Sequence, residues 1–241
     1  MNNYELLNNI DHQDVRIITD RSAEYGDKVM FAPTFPAEFR DVQTSYPILF
    51  HQNAQGDLYP VALFGFEEGE NLFLDDAGWQ ALYIPAMVRR QPFMIGFQRP
   101  ADGSQAEPTR VLSLDMDHPR VSKETGEALF QPLGGRTPFL ESAVNLLEFT
   151  YAGLEHSRDF VKAVAEHELF ESVSFNIRLK DGSTNQLLGF HTIHEERLQE
   201  LSGKALRRLS EKGFLMHMFM TLASLSNIQG LVNKRNELLD D

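Results

Sequence analysis

Two strand-like runs late in the chain, residues 173–179 and 186–191, flank Lys180-Asp-Gly-Ser183, a sequence suited to a hairpin turn. An isolated two-stranded hairpin is marginal in water. This one must therefore complete a sheet begun elsewhere, and the strand-like material is concentrated in the first half. Residues 29–32, 46–51, 59–66 and 71–74 are short runs of aromatic and aliphatic side chains, separated by turn-forming Asn53-Ala-Gln-Gly56-Asp57 and Glu68-Gly-Glu-Asn71. Pro47 and Pro60 fall at strand starts, where a missing N–H is tolerated. Residues 93–97 and 110–114 read as two further strands.

Helices occupy most of the remainder. Pro85 suits the first turn of a short helix that Pro92 ends. Thr137-Pro138 pairs an N-cap with a first-turn proline, and apolar residues then recur at three- and four-residue spacing to about His167, with Gly153 as a weak point. Ser202 reads as another N-cap, with Leu201 and Leu206 placed to staple the helix start, and Gly213 as its stop. A last helix is expected over 214–231. Residues 98–109 and 117–136 read as loops. Strands, long helix, hairpin and helices in this order do not alternate as in doubly wound folds. They predict an α+β fold with a largely antiparallel sheet. Residues 1–27 read as a polar N-terminal arm, and residues 28–241 as one domain.

Composition removes several function classes. The 241 residues contain no cysteine, which excludes disulfides, thiol nucleophiles, iron–sulfur clusters and cysteine-type zinc sites. A formal charge of −13 argues against a nucleic-acid surface and against docking to anionic lipid. The start, MNNYELLNNIDHQD, has neither the basic nor the apolar region of a secretory signal. The most apolar stretch, 214–225, is too short for a bilayer, which takes about 20 residues. The expectation is a soluble cytoplasmic protein without a membrane span.

Four constellations carry the chemistry. Arg89 and Arg90 close the short helix, where cations suit the helix dipole. Their functional reading is a clamp for a carboxylate or other anion, walled by Trp79, Tyr83 and Phe93. Adjacent helical residues point about 100° apart, so one guanidinium should face inward and one water. The inward one needs a carboxylate, from Glu70, Asp115 or Asp117, or a ligand anion. Asp115 and Asp117 follow a strand; they suit a turn, a divalent cation or, more simply, an ion pair with Arg120. His191 and His194 precede Glu195 with a spacing that does not place two ligands on one helical face, so no metal is assigned. Gly134-Gly-Arg-Thr-Pro138 lacks the Walker pattern and reads as a capped loop. The predicted ligand-binding set is Arg89, Arg90, Glu70, Asn71, Asp115, Asp117, Arg120 and His191, with no cofactor.

An ordered set of segments resembles the SapC family of bacterial proteins. They are Tyr46-Pro-Ile-Leu-Phe50, Pro60-Val-Ala-Leu-Phe-Gly65, Glu68-Gly-Glu-Asn-Leu-Phe73, Tyr83-Ile-Pro-Ala-Met-Val-Arg-Arg-Gln-Pro-Phe93 and His118-Pro-Arg-Val-Ser122. Leu188-Gly-Phe190, Glu195-Glu-Arg-Leu198, Leu201-Ser202 and Ser224-Leu-Ser-Asn227 extend the match, which runs from about residue 25 to 232. The family takes its name from a protein linked to the surface layer of one bacterium. The resemblance implies a cytoplasmic protein of this length, encoded near outer-membrane receptors, flavin-dependent halogenase-like proteins and cupin-type oxygenases. It carries over no residue roles.

Three functional readings follow, in this order. The first is an accessory or binding protein with a protein partner or small-molecule ligand, working beside envelope nutrient uptake or peptide-modifying enzymes. The absence of a complete catalytic motif leans this way. The second is a metal-dependent or acid–base enzyme using Asp115, Asp117, His191 or Glu195. The third is a surface-layer structural or export component.

Overall fold

The computed structural model describes residues 3–99 and 109–239. In chain order its strands are β1 (Tyr4–Leu6), β2 (Arg16–Ile17), β3 (Phe31–Pro33), β4 (Ile48–Gln52), β5 (Leu58–Leu63), β6 (Leu74–Asp75) and β7 (Gly78–Trp79). They continue with β8 (Phe93–Gln98), β9 (Thr109–Asp115), β10 (Val121–Ser122), β11 (Glu127–Ala128), β12 (Phe170–Arg178) and β13 (Thr184–Ile193). The α-helices are α1 (Phe39–Val42), α2 (Ala86–Arg89), α3 (Pro138–Glu166), α4 (Glu195–Gln199), α5 (Gly203–Glu211), α6 (Phe214–Ser224) and α7 (Asn227–Glu237). The fold is α+β, and among the described residues the strand pairings are antiparallel. The expected loop over 98–109 lies largely outside the described residues. The chain divides into two compact units, residues 1–27 with 86–152 and residues 28–85 with 153–241, and α3 supplies residues to both.

In the first unit, β8 pairs with β9 and β9 with β1, while β2 pairs with both β10 and β11. The segment read as a polar arm is thus partly built into sheets. Tyr4 lies opposite Asp115, and Val15 and Ile17 are buried with Phe93, Leu114, Leu129, Phe130, Leu140 and Leu147. The cause is local: Val15 and Ile17 alternate around Arg16 and so share one face of a strand. Residues 117–136, read as loop, contribute β10 and β11.

The second unit is built on a five-stranded sheet of order β12-β13-β4-β5-β3. The late hairpin joins the earlier strands as expected, through Phe190 opposite His51 and His191 opposite Phe50. Ile48, Leu49 and Phe50 of β4, and Pro60 to Leu63 of β5, are all buried. Central strands covered on both faces read as continuous apolar runs. The β12–β13 turn forms as its sequence suggests: Asp181 accepts from the Ser183 N–H and hydroxyl, and Gly182 has φ 86°.

Long helix α3 begins at its predicted cap, with Thr137 Oγ1 accepting from the Leu140 N–H at 3.2 Å. Gly153, read as a weak point, serves packing instead. A Cβ there would lie 2.2 Å from the Phe35 ring. The expected single helix over 214–231 is two helices, α6 and α7, with the break at Leu225 and Ser226. Serine chemistry accounts for it: Ser224 Oγ donates to the Thr221 carbonyl and accepts from the Ile48 N–H, and Ser226 Oγ donates to the Ala223 carbonyl. Among the described residues no helix is long and apolar enough to cross a membrane.

Candidate functional site

In the first unit a buried charged cluster forms around Asp27. A short 3-10 turn over Ala23–Tyr25 ends at Gly26, φ 84°, with Gly26 and Asp27 N–H groups donating to Ala23 and Ser22 carbonyls. The turn directs the Asp27 side chain inward, where it is 0% exposed. Arg120 arrives from the other side. It follows the tight turn after β9, in which His118 N–H donates to Asp115 O and Val121 N–H to His118 O. Its own N–H donates to His118 Nδ1 at 3.2 Å.

Arg120 is 1% exposed, yet most of its donors are engaged. Nη2 meets Asp27 Oδ2 at 2.7 Å, and Nη1 donates to the Ile18 and Asp20 carbonyls at 2.9 and 2.6 Å. The guanidinium carbon lies 5.7 Å from the Tyr25 ring centroid. The other carboxylate oxygen, Oδ1, is held by Arg21 Nη1 at 3.1 Å. One carboxylate thus serves two guanidinium groups. Burial, then the charge of Arg120, lower the Arg21 pKa; Asp27 opposes them, and the nearby charge of Arg89 lowers it further. His118 is likewise lowered, first by burial and then by Arg120, against the opposing pull of Asp115 and Asp27.

The predicted residues distribute as follows. Arg89 is exposed and Arg90 half-buried, so one faces inward and one faces water. Arg90 is satisfied differently from the expectation: its Nη1 donates to the Phe93 carbonyl at 2.8 Å, with no carboxylate contact among the described residues. Burial lowers its pKa. The partner of Arg120 is Asp27 rather than Asp115 or Asp117. Asp115 instead accepts from the Asp117 N–H, and Asp117 is exposed.

Glu70, Asn71 and His191 belong to the second unit. Glu70 accepts from the Phe66 N–H at 2.7 Å and pairs with Arg235 at 3.3 Å. Asn71 accepts from the Phe73 N–H. These contacts fix the loop before β6. His191 lies on β13, and its Nδ1 is buried without a hydrogen-bond partner among the described residues. His194 caps α4 by accepting from the Arg197 N–H. Ligand atoms of Glu171, His194 and Glu196 lie within 4.8 Å of one another, so the histidine-and-acid grouping forms around His194 rather than His191.

The SapC family model matches residues 7–231, and these include the whole Asp27 cluster. The chain belongs to the SapC family. No curated protein and no solved structure matches it. Within this SapC chain, Arg21 and Asp27 escaped the sequence reading because they lie in a segment read as a polar arm. The one local signal for them was the Gly26 turn.

Proposed function

We propose that this SapC-family chain is an accessory or binding protein that recognises a small ligand bearing a carboxylate or phosphate, using Arg89 and the accessible part of Arg21. The observation that supports it is the sharing of one buried carboxylate, Asp27, by Arg21 at 3.1 Å and Arg120 at 2.7 Å, with Arg89 exposed in the same unit and adding in a small way to the positive field at Arg21. Arg89 makes no ion pair among the described residues. In a protein of charge −13, such a cationic centre selects anions locally. Arg120 and Asp27 hold the platform, and Arg21 and Arg89 offer planar forks that match an oxyanion. From the family resemblance, the proposal places the chain in the bacterial cytoplasm, beside envelope nutrient uptake or peptide-modifying enzymes.

Titration calorimetry with inorganic phosphate and with citrate, on the wild type and on Arg89→Gln, tests the reading. Saturable binding that weakens about ten-fold or more in the variant is expected, because charge-assisted hydrogen bonds are lost. Absence of binding, or equal affinity in both proteins, refutes it. A metal-dependent enzyme is the second reading, and it draws on Glu171, His194 and Glu196. It requires stoichiometric metal in protein purified without a histidine tag.

A further inference from the structure

The second unit holds a cleft of ≈ 630 Å³ between α3 and the β5–β3 end of its sheet. Nothing in the family assignment or in the Asp27 cluster accounts for it. Its volume is within the range of small-molecule sites, which runs from about 300 to 1,000 Å³. One wall comes from α3, where Leu154, Arg158, Val161, Lys162 and Ala165 line the opening. The helix already has a core-facing stripe: Gly153, Ser157, Phe160 and Val164 are buried. Leu154 and Val161 form a second apolar stripe beside it, seven residues apart, and Leu154 is 36% exposed. A purely solvated helix face would be polar there.

Arg158 and Lys162 are four residues apart and so share that face. Both are exposed, and neither makes an ion pair among the described residues. The opposite wall is Leu58, Tyr59 and Pro60 of β5 with Asn53 and Asp57 of the β4–β5 turn. Tyr59 borders the cleft at the strand, while its side chain lies with His51, 3.4 Å from His51 Nδ1, on the sheet face opposite the one on which Phe50 meets α3. Asp57 sets the polarity of the cleft, because an anion is repelled at the turn and attracted at the helix.

We infer that this cleft binds a small amphipathic anion, with its charged group on Arg158 and Lys162 and its apolar body against Leu154, Val161, Leu58 and Pro60. The ligand class is an aromatic or aliphatic carboxylate, sulfonate or phosphate ester. The cleft shares no lining residue with the Arg21–Arg89 centre.

The test is a fluorescence titration of the full chain with 8-anilinonaphthalene-1-sulfonate, which combines an aromatic body with one anionic group. Saturable single-site binding is expected. The double variant Arg158→Gln/Lys162→Gln should weaken it about ten-fold or more through loss of charge-assisted contacts. Ala165→Trp, at an exposed lining position, should block it by filling the cleft while sparing the core. Arg89→Gln should leave it unchanged. Circular-dichroism melts establish that each variant is folded. Wild-type affinity in both cleft variants would place the probe on another apolar surface and overturn the proposal, as would the absence of saturable binding.

Discussion

Replacing Asp27 with Asn keeps the size of the side chain and removes the only charge in direct contact with both Arg21 and Arg120 among the described contacts. Arg120 is 1% exposed and would keep its bonds to the Ile18 and Asp20 carbonyls, but its charge would lose its counter-ion. Breaking a buried pair by neutralising one partner costs about 3–5 kcal/mol. Arg21 adds less, because its side chain is 20% exposed and water screens part of the interaction. The pair joins residues 93 apart in the chain, so it also holds the N-terminal turn against the loop after β9. Urea unfolding of the wild type, Asp27→Asn, Arg120→Met and the double variant measures the coupling. Each single change is expected to lose about 3–5 kcal/mol, and the double variant well under the summed losses, since neither group is then left buried and unpaired. In a protein of this length, 1 kcal/mol corresponds to about 2–4 °C in Tm, so the single variants should melt at least about 6 °C lower. A loss below about 1 kcal/mol in Asp27→Asn, or additivity in the double variant, would mean that water or another group compensates Arg120 and that the cluster is not a fixed platform.

Gly153→Ala should cost at least about 1–3 kcal/mol by overpacking, because the added Cβ would fall 2.2 Å from the Phe35 ring; chemical denaturation reads it, and a neutral result would show that Phe35 moves freely. His118 and His217 are both lowered from an ordinary value of 6.5, chiefly by burial, so the folded state binds protons less readily than the unfolded chain. Stability from these groups is therefore intact above about pH 6.5 and falls as the pH drops below it, levelling once the folded-state pKa values are passed. Melting temperatures from pH 8 to 5 should show this fall, and His118→Gln should reduce it; a flat profile would contradict it. Calorimetry should give one unfolding transition, because α3 is an unbroken 29-residue helix supplying both units; two resolved transitions would show that they melt independently.

The parts of this fold that could be read in advance are those where one local rule acts without competition. Thr137 and Pro138 meet capping and φ requirements within two residues, and α3 starts where they stand. The β12–β13 hairpin needed only its turn chemistry and the rule that two strands do not suffice. The α6–α7 break was hidden because the apolar pattern continues through it. At the end of α6 Ser224 accepts from the Ile48 N–H, a contact 176 residues away in the chain that no local pattern displays. The candidate site was hidden for the same reason. Arg120 was expected to pair with the aspartates five and three residues before it, since proximity in sequence is the only distance a sequence displays. The turn after β9 keeps Asp115 on its own loop, where it accepts from Asp117, and brings the Arg120 guanidinium to the Ile18 and Asp20 carbonyls instead. Once those two carbonyls hold Nη1, the carboxylate that reaches Nη2 is the one that the Gly26 turn has already buried, and that carboxylate is Asp27.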